Sequence, residues 1–128
     1  MNNDIAKTLH FQEVNGINLH YVTWGEYTRP ERAVALVHGL TANHQEWAKL
    51  GPTLAEEGWF AIAPDLRGRG QSEKPPHGYG IPYHVNDLLT LCDTLGLPGC
   101  TSSVIHSERK SHTSLLLFIQ SALIGLCL

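Results

Sequence analysis

"APDLRGRGQSEKP", residues 63–75, decides how this chain is read. It grows out of the apolar run "WFAIA", 59–63, and opens a loop rich in glycine and proline that runs to Pro82. Gly68 and Gly70 allow a close-packed turn there, because glycine adopts positive φ without steric cost. A loop of this kind at the carboxyl edge of a sheet lies where open α/β folds place their ligands. Asp65 and Arg67 are read as anchors of the loop, since charged loop side chains commonly fix backbone through hydrogen bonds.

Upstream, "AVALV", 33–37, is a second continuous apolar run, the pattern of a strand buried on both faces of a parallel sheet. Between the two runs, Trp47, Leu50 and Leu54 recur at helical spacing. Pro52 interrupts that pattern, so the helix starts late or kinks, and Gly58 stops it. Trp47 is read as a core residue of the helix face rather than as pocket lining. One helix-length crossover between the runs predicts two adjacent parallel strands, 33–37 and 59–63. Further upstream, "TLHFQEV", 8–14, and "INLHYVTW", 17–24, flank Asn15-Gly16, a strong hairpin signal. Downstream, Val85, Leu88, Leu89, Cys92 and Leu95 share one face of a helix expected over 83–95, ended by Gly96. The fold class that follows is α/β: an amino-terminal β-hairpin leading into a short parallel sheet with flanking helices.

The 128 residues suit one domain, and a net charge of -3 without clustered Lys or Arg excludes a nucleic-acid surface. The polar start "MNNDIAKTLHF" shows no signal peptide. Cys92, Cys100 and Cys127 have no CxxC spacing, so no disulfide framework is expected and a reducing cytoplasm is the default. The eight histidines show no metal-ligand spacing, and neither a metal nor a cofactor is expected. Composition shifts near residue 100. The polar, basic "HSERKSHTS" precedes "LLLFIQSALIGLCL", 115–128, whose 14 residues fall short of a bilayer span. The chain is therefore divided into 1–99 and a tail, 100–128, of strand-turn-helix or irregular form.

Three blocks carry a resemblance to a known family. "VALVHGLTANHQEW", "APDLRGRGQSEKP" and "YHVNDLLTLCDTLGL" are similar, in order and spacing, to blocks of the α/β-hydrolases, over roughly residues 8–99. The resemblance implies that the loop after the third strand, His38-Gly39-Leu40, supplies an oxyanion-hole amide from Leu40. It implies that His38, Gly39, Asp65, Arg67, Gly68 and Gly70 structure the loops around that edge. Ser107 then occupies the nucleophile's place, with the Glu108 amide as the second oxyanion donor. The family's elbow is G-x-S-x-G. Here the five positions read Ile105-His106-Ser107-Glu108-Arg109, so both glycines are replaced by bulky residues. The acid and histidine that follow the nucleophile in this fold have no counterpart beyond Glu108 and His112.

The implied function is a cofactor-free hydrolase of ester or similar carbon–heteroatom bonds, acting on small molecules. The alternative is a catalytically inactive fragment or binding remnant. The fading resemblance near residue 100 suggests a truncated or frame-shifted gene product, and an unpaired sheet edge suggests self-association.

Overall fold

The computed structural model describes residues 7–38 and 43–97, and the backbone of 104–106. Strands β1 (Thr8–Val14) and β2 (Ile17–Trp24) form the expected hairpin, with Val14 opposite Ile17. Asn15 and Gly16 make the turn at φ 49° and 82°, the left-handed region that a two-residue hairpin loop requires. Strand β3 (Ala33–Val37) and strand β4 (Phe60–Pro64) pair in parallel, Ala33 to Phe60 through Ala35 to Ile62. Strand β5 (Val104–His106) pairs in parallel with the other side of β3. It lies beyond the boundary expected at residue 99, yet belongs to the same sheet. β2 meets β4 antiparallel, so the sheet is mixed, in the order β1-β2-β4-β3-β5.

The helices differ in detail from the sequence expectation. The segment around Trp47 is a 3-10 turn, His44–Trp47, followed by α1 (Leu50–Glu56). Pro52 sits in the first turn of α1, where its missing N–H has no helical acceptor to lose. Helix α2 (Ile81–Thr94) begins two residues earlier than its apolar face suggests, because Pro82 is accommodated in its first turn.

Alternation along the strands splits the core in two. Ala33, Ala35 and Val37 of β3 and Phe60 and Ile62 of β4 pack with Val85, Leu88, Leu91 and Cys92 of α2. Val34 and Leu36 of β3 and Ala61 and Ala63 of β4 face the other way, onto Trp47, Leu50 and Leu54. The two helices therefore cover opposite faces, and the continuous apolar runs are explained by burial on both sides. The connection leaving β3 runs towards β4, whereas β5 lies on the opposite side of β3. This reversal of strand order sits beside the carboxyl ends of the parallel strands, where open α/β sheets form their ligand crevices.

Candidate active-site edge

The carboxyl ends of β3 and β4 meet through buried polar groups. His38 follows β3 and Asp65 follows β4, both with no exposed surface. The Leu66 N–H donates to His38 Nε2 at 2.9 Å, which fixes His38 as an acceptor at that nitrogen. Asp65 is the centre of the arrangement. Its Oδ1 accepts from the His44 backbone N–H at 2.6 Å and from His44 Nδ1 at 2.8 Å. Its Oδ2 accepts from His20 Nδ1 at 2.9 Å and from the Gln71 N–H at 3.0 Å. Burial alone would raise the carboxyl's pKa. The amides of Gln71 and His44 and the rings of His44 and His20 outweigh burial and hold it below the usual carboxylate value. Ser72 completes the set: its Oγ donates to the Asp65 carbonyl at 2.6 Å and accepts from the His20 N–H at 2.8 Å.

His20, His44 and Asp65 bring three potential ligand atoms within 4.8 Å of one another. Sequence spacing gave no sign of this cluster, since three separate elements supply it. Its geometry is that of a hydrogen-bonded carboxylate. Each imidazole nitrogen addresses a different oxygen, and two backbone N–H groups address the same oxygens. Hydrogen bonds to the Asp65 carboxylate account for both ring contacts.

Arg67 turns away from Asp65 and joins α2. Its Nε and Nη2 donate to the two oxygens of Asp87 at 2.7 and 2.8 Å, and Nη1 donates to the Gly78 carbonyl at 2.9 Å. Asp87 also accepts from Asn15 Nδ2 at 2.9 Å, which ties the hairpin turn to the helix. Asp87 keeps Arg67 firmly protonated. The glycines of the 65–72 loop are obligatory for this packing. A Cβ on Gly70, at φ 52°, would lie 2.4 Å from the Asp65 carboxylate. One on Gly68, at φ 81°, would lie 2.4 Å from the Tyr79 ring.

Leu66, Arg67, Arg69, Tyr79, Gly80, Ile81 and His84 line a cleft of about 270 Å³ beside this loop. Burial pushes His84 below the ordinary histidine value, and its Nδ1 is buried without a partner among the described residues. Trp47 is buried in the α1-side core. Ser107, Leu40, Glu108 and Gly39 fall outside the described residues. The described backbone of β5 reaches His106, which lies opposite Val37, the last residue of β3.

A family model for the alpha/beta hydrolase fold matches residues 32–107, more than half of the chain. The chain belongs to the α/β-hydrolase fold family. It is 39% identical over 89 residues to a soluble epoxide hydrolase of Corynebacterium sp. (strain C12), covering 70% of this chain and 29% of that protein. An epoxide hydrolase from Vigna radiata superposes with a TM-score of 0.77 at 26% identity, over 93% of this chain and 37% of that one. A haloalkane dehalogenase variant from Bradyrhizobium elkanii gives 0.66 at 31% identity, over 79% of this chain and 31% of that one. This α/β-hydrolase chain thus spans less than a third of the length of the Corynebacterium enzyme.

Proposed function

We propose that this chain carries the strand edge of a cofactor-free hydrolase site for ester or kindred carbon–heteroatom bonds. Ser107 stands at the nucleophile's position, with the Leu40 and Glu108 amides as oxyanion donors. The observation that supports this best is the β3–β5 register. His106 pairs with Val37, so Ser107 follows in sequence directly on a parallel strand that lies beside the one leading into His38.

The relatives' names point to epoxide and carbon–halogen bonds. The residue type at position 107 then selects among substrates. A serine alkoxide that opened an epoxide would be left as an ether, with no carbonyl for water to attack. A serine that attacks an ester forms an acyl-enzyme, which water releases as a carboxylic acid. Two amides would hold the oxyanion of each tetrahedral intermediate. Ester substrates therefore suit Ser107 better than epoxides.

This chain alone is expected to stop short of turnover. Ile105 and Arg109 stand at the two positions where the elbow pattern has glycine, and Glu108 and His112 lie too near Ser107 in sequence to act as partners from distant loops.

The test has two arms. The purified chain, given an activated aryl ester, should release no faster than Ser107→Ala corrected for free imidazole. The second arm replaces the matching amino-terminal stretch of the Corynebacterium enzyme with this chain through Ser107, with Ile105→Gly to restore the first elbow glycine. That chimera should cleave the aryl ester and not styrene oxide, and Ser107→Ala should abolish the ester activity. Ester cleavage that survives Ser107→Ala, or turnover of the epoxide, would sink the reading.

A further inference from the structure

The cleft beside the 65–72 loop is built from groups that the hydrolytic reading leaves unused. Its walls are apolar: the Leu66 and Ile81 side chains and the Tyr79 ring. Tyr79 is a fixed wall, because its hydroxyl donates to the Pro75 carbonyl at 2.6 Å and its ring lies where a Cβ on Gly68 would be. At about 270 Å³ the cleft is just under the roughly 300 Å³ at which small-molecule pockets begin, room for one ring or a short acyl chain.

Two cations line it, and only one is committed. Arg67 spends all three of its nitrogens on Asp87 and the Gly78 carbonyl. Arg69 is exposed, and its backbone is pinned on both sides: its N–H donates to the Leu66 carbonyl and its carbonyl accepts from the Ser72 N–H. Its guanidinium has no acidic partner among the described residues. A pinned backbone thus presents a planar cation, without an acidic partner among the described residues, at the rim of an apolar cleft.

His84 adds a donor. Its Nδ1 is buried without a partner among the described residues, and a sealed bare acceptor costs less than a sealed N–H. The ring proton therefore belongs on Nε2. Burial keeps the ring neutral, and Arg69 lies near enough to push in the same direction. The described carboxylates near the cleft are Asp87, which pairs with Arg67 and works against the downward shift of His84, and Asp65, which four donors occupy.

We infer that this cleft binds small carboxylates with a short apolar body, such as arylacetates, with the carboxylate on Arg69 and the body against Leu66, Ile81 and Tyr79. The site is independent of Ser107. It binds an acid without breaking a bond, so its success or failure is read separately from any hydrolysis.

The experiment titrates the isotope-labelled full chain with phenylacetate, followed by amide and side-chain NMR shifts. Phenylacetamide serves as the neutral isostere and sodium chloride as the ionic control. Saturable shifts gathered on Leu66, Arg69, Ile81 and His84 are expected, with phenylacetamide binding more weakly. Arg69→Gln alters only an exposed side chain, so the fold is kept, and affinity should fall about three- to tenfold, as befits a partly solvated ion pair. His84→Leu should shift the Leu66 and Ile81 signals and weaken binding without removing it. Equal binding of the amide and the acid, scattered shifts, or an Arg69→Gln variant that binds like the parent would overturn the inference.

Discussion

Arg67 and Asp87 meet as a two-pronged ion pair across 20 residues of sequence, and both are nearly sealed from water. Removing one partner leaves the other charge buried, which costs more than the pair itself contributes. Asp87→Ala should therefore destabilise the chain by about 3–5 kcal/mol, read as a lower urea midpoint. A loss under about 1 kcal/mol would show that water takes over the guanidinium. Arg67→Lys should also be costly, because an ammonium cannot serve both oxygens of Asp87 and the Gly78 carbonyl in one plane. His84 carries a pH signature. Its folded-state pKa is lowered by burial, so the unfolded chain takes up the proton first as pH falls. The stability at stake is present above the unfolded value of about 6.5 and is lost as pH falls through the folded one. The difference in urea midpoint between His84→Leu and the parent should grow, in favour of the variant, from about pH 7 to pH 5. A constant difference would mean that His84 titrates normally. Single-residue logic reached Asp65 and Arg67 as loop residues but could not reach their partners. His20, His44 and Asp87 come from other elements, and no spacing rule links them to the loop.

Helix α1 is held against the sheet by the absence of a side chain. A Cβ on Gly51 would lie 2.3 Å from the Trp24 ring of β2. Gly51→Ala is a good substitution for an isolated helix, yet here it should destabilise by about 1–3 kcal/mol through overpacking. A thermal melt decides: an unchanged or raised midpoint would mean that the Trp24 ring moves aside easily. Elements of this kind were legible in part. The hairpin was readable because Asn15-Gly16 fixes a turn by local sterics alone. Strands β3 and β4 were readable because burial on both faces leaves an uninterrupted apolar run. Where α1 starts was harder to read, since the Trp47–Leu50–Leu54 spacing continues through a 3-10 turn that the pattern cannot distinguish from α-helix. The site was legible only as a position at the strand ends, because its geometry depends on packing between elements distant in sequence.

At the level of the whole molecule, the sheet has an outer strand with apolar side chains in water. Leu9 and Phe11 on β1 are 58% and 53% exposed and point to the same side. Unpaired strand edges with exposed apolar residues favour association. The chain is expected to elute from a sizing column as larger species that Leu9→Lys with Phe11→Lys shifts towards monomer. A monomeric parent would refute this. Among the described residues no helix is long and apolar enough to cross a membrane. The bond between Asn15 and Asp87 also gives the molecule a timetable. The two residues are 72 apart in sequence. A hairpin closes in about 1–10 μs, whereas a ribosome adding roughly 5–20 residues per second needs about 4–14 s to deliver Asp87. Until β4 emerges to pair with β2, β1 and β2 stand as a two-stranded ribbon, which is marginal by itself in water, and Asp87 follows later still. The side-chain clasp on their turn is thus among the last contacts to form, and it acts as a latch on exit from the native state. Asn15→Gly keeps the positive-φ turn and deletes the latch, so a chevron plot should show an almost unchanged folding arm and a raised unfolding arm.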